Sequence, residues 1–267
     1  MDSWFASVGS FLRELNMIPA PDLASRLWNA DETGFCTSIA SPRVLARKGA
    51  KDVHETSGGS DHEFHTLLAA GAADGTHLPP FILYKGVNLY SRWTKGGLAG
   101  AIYGVSDSGW MESKNFEQWF QKLFAPAVSG LLATGPVVLF VDGHHSHVGL
   151  DLIHLARSKG VHLFCLPPHT THLLQPLDVG VYAPAKKTWK TILKYHSIRT
   201  HAQNVLKEDF PGTANAFSGC GGFAPSVVGI LEYTHTVLQH TKYVLFVQET
   251  TFDVLQEVCF ISHFLQV

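Results

Sequence analysis

Residues 137–141 read Val-Val-Leu-Phe-Val, and Asp142 follows at once. A continuous apolar run of this length, rich in β-branched side chains, suits a strand buried on both faces. Val148, Leu152, Leu155 and Ala156 then recur at helical spacing. Arg157 and Lys159 fill the last turn of that helix, and Gly160 is a natural stop. Residues 161–166 make a second strand pattern, closed by Pro167 and Pro168. Strand, helix and strand in that order form a βαβ unit, whose two strands run parallel. Ligands of open α/β sheets gather beyond the carboxyl ends of the strands. Asp142 falls there.

The rest of the chain is read around this unit. Residues 1–25 predict a short amphipathic helix with Trp4, Val8, Phe11, Leu12 and Leu15 on one face, broken by Pro19 and Pro21. Residues 27–31 predict a strand. Alternation puts Leu27, Asn29 and Asp31 on one face and Trp28, Ala30 and Glu32 on the other, so only one of the adjacent acids can face a given site. Residues 44–46, 64–70 and 80–84 are further strand candidates, separated by turn signals at Gly58-Gly59 and Asp74-Gly75, and together they suggest an antiparallel meander. Residues 85–110, rich in Gly, Ser and Trp, read as irregular. Ser113 is a candidate N-cap for a helix whose stripe is Phe116, Trp119, Phe120, Leu123 and Phe124, with Pro126 as its limit. That stripe is core. Residues 202–225 read as a loop or a poorly packed extension. Residues 226–267 are apolar and have no assigned place.

Composition narrows the function. The 267 residues allow one large domain or two small ones. The net charge of −2 supplies no global attraction for phosphate, so a nucleic-acid surface would have to be local. Lys186, Lys187, Lys190, Lys194 and Arg199 offer one, on a segment predicted to be helical from about Pro184. The bland reading of such a segment is a solvated helix face. Cys36, Cys165, Cys220 and Cys259 form neither a C-x-x-C pair nor a zinc pattern, and no signal peptide is read at the start, which favours a reduced intracellular compartment. No apolar run is long enough to span a bilayer.

Three acids stand at informative places: Asp31, Asp142 and Asp178. Each also has a bland reading, as a turn acid, a strand-end surface acid and a helix N-cap respectively. The last two lie 36 positions apart, enough for helix, strand and loop to return the chain to one sheet edge. Converging carboxylates repel unless a cation neutralises them, and oxygen donors select Mg²⁺ or Mn²⁺. The group His144, His145, His147, His169 and His172 raises a zinc hydrolase as a competing reading. Its spacing fits no standard zinc pattern, so hydrogen bonding around the acids or to a phosphate is the expected role. Gln175 would orient a backbone group or water, or fix its loop.

Five stretches then carry a resemblance: NADETGF around Asp31, AADGTHLPPFILYKG from Ala72, SGWMESKNFEQWF from Ser108, VDGHHSH at Asp142 and LPPHTTHLLQPLDVGVYAPAKKTW at Asp178. In this order they resemble the catalytic domain of DDE-superfamily endonucleases of the pogo, Tigger and jerky transposase type, over roughly residues 26–190. The resemblance implies an α/β, RNase-H-like fold: a mixed five-stranded sheet with helices on both faces. It implies a catalytic domain at 26–200, preceded by a helical linker at 1–25 and followed by an extension at 201–267. It implies Mg²⁺ or Mn²⁺ held by Asp31, Asp142 and Asp178, and DNA as partner and substrate, with cleavage and strand transfer at transposon ends. Lys186, Lys187 and Lys190 become the candidate DNA contacts, the nucleus the expected setting, and a homodimer an open option. The family usually carries an N-terminal helix-turn-helix region, which is not read in this chain. An inert, host-adopted interaction protein is therefore the alternative.

Overall fold

The computed structural model describes residues 2–38, 63–144, 147, 149–202 and 204–216. The strand candidate at 44–46, the tail at 226–267, and His145, Val148, Cys220 and Cys259 lie outside the described residues.

A six-stranded mixed sheet forms the middle layer, in the order β4-β3-β2-β1-β5-β6. Its strands are β1 (Leu27–Cys36), β2 (Phe64–Ala72), β3 (Phe81–Lys85), β4 (Ile102–Ser106), β5 (Val137–Val141) and β6 (Val161–Cys165). β1, β2 and β3 form the expected antiparallel meander. β5 runs parallel to β1 and β6 parallel to β5, so the βαβ unit stands as read. The sixth strand, β4, lies in the stretch expected to be irregular and pairs parallel to β3 at the sheet edge. Its apolar signal is short and interrupted by Gly104. A Cβ there would come within 2.7 Å of the Phe81 ring, so glycine is what lets the two strands close.

One face of the sheet is covered by α3 (Ser113–Trp119), a π-helical turn (Phe120–Phe124), α4 (Ala125–Leu132) and α5 (Leu150–Ser158). Phe116, Trp119, Phe120, Phe124 and Val128 are fully buried against Trp28, Leu68, Leu83, Val137, Leu139 and Val141. Pro126 does not end this helical run. It sits in the first turn of α4, where a missing N–H costs little.

The other face carries α1 (Asp2–Glu14) and α7 (Ala183–Thr200), with the short helices α2 (Leu23–Arg26) and α6 (Thr171–Leu174) at the approaches. Val8 and Leu12 of α1 pack on Val138 and Phe140 of β5, and the Trp4 indole donates to the Cys165 carbonyl at 3.0 Å. Trp189, Ile192 and Leu193 of α7 pack on Phe35, Leu67, Ala69 and Ile82. Residues 202–225 read as a loop or a poorly packed extension, yet Phe210–Ala216 form a further helix, α8. Phe210 and Ala214 are buried in the same cluster, with the Phe210 and Trp189 rings 5.0 Å apart. The Gly and Pro of that stretch hid the two apolar residues that dock it.

His65 on β2 is buried with its ring edge-on to Tyr84 and Phe210, each 4.7 Å away. Burial lowers its pKa to about 3, and the nearby Lys207 charge adds to that fall. An unfolded chain takes a proton at this position below about pH 6.5, whereas the native chain resists it. Stability is therefore lost as pH falls from 6.5 towards 3. His65→Phe should be more stable than wild type by about 2 kcal/mol at pH 5, beyond any difference at pH 8. Urea titrations at the two pH values would check it.

Candidate active site

β1 outruns β5, and the crevice opens at that step. The parallel register pairs Asn29 with Phe140 as its last position. Continued by two places, the same register sets Asp31 level with Asp142, just past the end of β5. Asp31 still pairs with Ala69 of β2 on its other side, so its backbone is held while one flank is free.

Alternation along β1 turns Asp31 towards α7 and Glu32 towards α3, as the sequence pattern requires. The Asp31 residue is only 5% exposed, and its Oδ2 has no hydrogen-bond partner among the described residues. Burial first, then the charges of Asp178 and Glu32, push its carboxyl up to about 8, while Gln175 opposes the rise. Gln175 is fully buried. Its Oε1 accepts from Asn29 Nδ2 at 2.7 Å, and the same Asn29 amide donates to the Phe140 carbonyl at 3.1 Å. This polar lock ties β1, β5 and the loop before α7 together beside Asp31.

Asp178 lies in the first turn of a π-helical segment, Leu177–Tyr182, that leads straight into α7. The N-cap position of that segment is held by Pro176, not by Asp178. Partial desolvation raises its carboxyl, Lys186 pulls it back down, and the Asp142 charge raises it again. Asp178 thus senses both other acids. Tyr182, buried one turn later, donates its hydroxyl to the Asp31 carbonyl and fixes this segment on β1. Its spacing of four residues from Asp178, one helical turn, is the signal for it in the sequence.

Asp142 leaves the end of β5 and accepts from the His144 backbone N–H at 3.1 Å. Its Oδ1 is also 2.5 Å from Nδ1 of His147. Burial pushes this carboxyl up, and His147 more than reverses the effect, so the net shift is downward. The other ring nitrogen of His147, Nε2, meets Glu32 Oε1 at 2.7 Å. His147 therefore does bond around the acids, and Glu32 is ion-paired. His169 and His172 sit exposed, in the loop between β6 and α6 and on α6, with no such bond among the described residues.

Among the described residues, no three His, Cys, Asp or Glu side chains close on a common metal position. Asp178 is the electrostatic neighbour of both Asp31 and Asp142. The donors nevertheless suit a hard divalent cation: carboxylate oxygens only, one of them buried and uncompensated at Asp31 Oδ2. Lys186, Lys187 and Lys190 are all exposed on α7, with Lys186 close enough to act on Asp178.

The chain's similarities were found at three levels. A family model described as DDE superfamily endonuclease matches residues 62–217. A Cochliobolus lunatus protein named MFS-type transporter clz9 is 28% identical over 189 residues, which are 69% of this chain and 20% of that protein. None of the described helices is long and apolar enough to cross a membrane. The Homo sapiens pogo transposable element with KRAB domain is 25% identical over 160 residues, 60% of this chain and 26% of that protein. The chain thus spans about a fifth to a quarter of the length of these relatives. Among solved structures, the mariner Mos1 paired-end complex with Mg is similar at 9% identity and a TM-score of 0.49, over 87% of this chain and 58% of that one. The catalytic domain of Mos1 mariner transposase is similar at 9% identity and a TM-score of 0.42, over 86% and 89%.

The buried Asp31 gives a pH test. Its folded pKa of about 8 lies above the ordinary value of 3.8, so the native chain binds more protons than the unfolded chain between those limits. In metal-free buffer, the contribution of Asp31 to stability should fall with rising pH across that window, opposite in sign to that of His65. Asp31→Asn removes the titration. Its stability relative to wild type should rise by up to about 1.4 kcal/mol per pH unit between pH 4 and 8, read from paired denaturant titrations.

Proposed function

Since the chain belongs to the DDE superfamily endonucleases, we propose that it is a metal-dependent DNA endonuclease domain of the transposase type. The observation that carries this reading is the Asp31 carboxylate. It is buried with an uncompensated oxygen, raised by that burial first and by the charge of Asp178 after it, and two places past the last paired position at the step where β5 ends. A fold tolerates such a group when something positive normally meets it.

Asp31, Asp142 and Asp178 would hold Mg²⁺ or Mn²⁺. The cation's contribution there is Lewis-acid activation of a water and neutralisation of charge on the leaving oxygen. The protein's contribution is placement. Asp31 lies on β1 and Asp142 just after β5, each two places beyond the last paired position, and Asp178 would come from the helical segment that starts at Leu177. Lys186, Lys187 and Lys190 line the exposed side of α7, where they would take the phosphate backbone of DNA. In the hydrolytic step, water forms a new bond to phosphorus and the bond to the 3′ oxygen breaks, leaving a 3′-hydroxyl and a 5′-phosphate. That 3′-hydroxyl is the nucleophile for transfer into a second DNA. The proposal extends to a nuclear setting, where chromosomal DNA lies, and to a homodimer, which sedimentation velocity would test.

One observation favours the inert alternative, in which the domain keeps the fold as an interaction module: the acids do not close on a point in the described structure. Nicking of supercoiled DNA separates the two. The wild-type chain should nick in Mg²⁺ or Mn²⁺ and not in EDTA, and Asp142→Ala should be slower by about 100-fold or more. Equal rates for the two proteins would remove the nuclease reading.

The lysines give a separate expectation. Lys187→Ala and Lys190→Ala should each weaken DNA binding to a similar degree on all sequences. Each should also flatten the logarithmic salt dependence by about one unit, measured by fluorescence anisotropy across a salt series.

A further inference from the structure

Among the described residues of the loop after β5, His147 is the ring that goes inside. It is 1% exposed and lies on the opposite face of the sheet from Asp31, with its ring centroid 4.4 Å from that of Phe116. One nitrogen meets Asp142 at 2.5 Å and the other meets Glu32 at 2.7 Å. The two carboxylates come from different strands. Glu32 belongs to the stretch of β1 that has outrun β5, and Asp142 is the first residue after β5 ends. Strand pairing has stopped at this level, so the backbone no longer fixes Asp142 against β1. The imidazole bridge replaces the missing ladder contact with a side-chain one.

We propose that His147 is a positioning residue, anchored by Glu32, that holds the Asp142 carboxylate at the level of Asp31 and so sets it for metal binding. The bridge crosses the sheet from behind. Asp142 is gripped from the α3 face by His147, while its charge is felt by Asp178 on the α7 face. An acid that must face a cation on one side gains a fixed orientation from a donor on the other. Glu32 itself need not touch the metal. Its role is to keep the far end of the ring from turning.

The inference rests on the reading of Asp142 as a metal ligand, and the test separates the two. Mn²⁺ is titrated into the full chain at pH 7, with free ion followed by electron paramagnetic resonance and fold checked by thermal melting. Glu32→Ala and His147→Phe should each weaken Mn²⁺ binding by about tenfold, as loss of an outer partner of a ligand does. Glu32→Gln keeps an acceptor for the ring and should recover most of that loss, which a merely structural contribution would not require. Glu32 is partly exposed, so Glu32→Ala decides the matter even where His147→Phe fails to fold. Wild-type affinity in Glu32→Ala, with Asp142→Asn impaired, overturns the bridge alone. Wild-type affinity in Asp142→Asn overturns the ligand reading and the bridge's role with it.

Discussion

The parallel pairing of β1 with β5 is the contact on which the site depends. It is short, three register positions, and it stops two residues before the acids. A longer pairing would have closed the crevice. A shorter one would have left the two strands free to slide, and a slip of one residue would exchange Asp31 for Glu32 on the α7 face. Asn29 guards against that slip. Its amide reaches the Phe140 carbonyl and Gln175 at once, so the register is pinned by a buried polar contact at the last paired position. Apolar packing on both faces supplies the bulk of the stability, but it does not choose between registers as sharply as a hydrogen bond that must be satisfied.

The electrostatics of the site follow from where each acid sits relative to that pairing. Asp31 is inside and carries the full cost of desolvation. Asp178 is outside and is eased by Lys186 from its own helix. Asp142 is between them and is offset by a histidine that is itself held by a fourth acid. Three carboxylates of the same type thus have three different protonation tendencies: Asp31 and Asp178 raised, to different degrees, and Asp142 lowered.

Much of this was legible in the residues. The apolar run ending at Asp142, the helical spacing after it and the second run at 161–166 define the βαβ unit without help from any relative. Period-two alternation correctly separated Asp31 from Glu32. The stripe from Phe116 to Phe124 was recognisable as core. What escaped has physical causes. β4 is only five residues long and contains a glycine demanded by a neighbouring ring, so its pattern is weak. α8 is docked by two side chains within a stretch whose Gly and Pro argue for a loop. The Glu32–His147–Asp142 bridge joins residues 115 positions apart, and no spacing rule reports a contact of that kind. Tyr182 was overlooked because its hydroxyl bonds a backbone oxygen rather than a charged side chain.

The run from Leu177 through Thr200 behaves as one rod. Its first turn carries Asp178, its second carries Tyr182 against β1, and its flank carries the lysines, while Trp189, Ile192 and Leu193 bolt it to the sheet. At about 1.5 Å per residue it is roughly 35 Å long. The lysine flank and the acid share continuous helical backbone, with Pro184 and the change from π- to α-helical turns between them. On the proposed function, the surface that would grip a phosphate chain and the third carboxylate ride on one helical run, and a substitution that tilts it would alter both together.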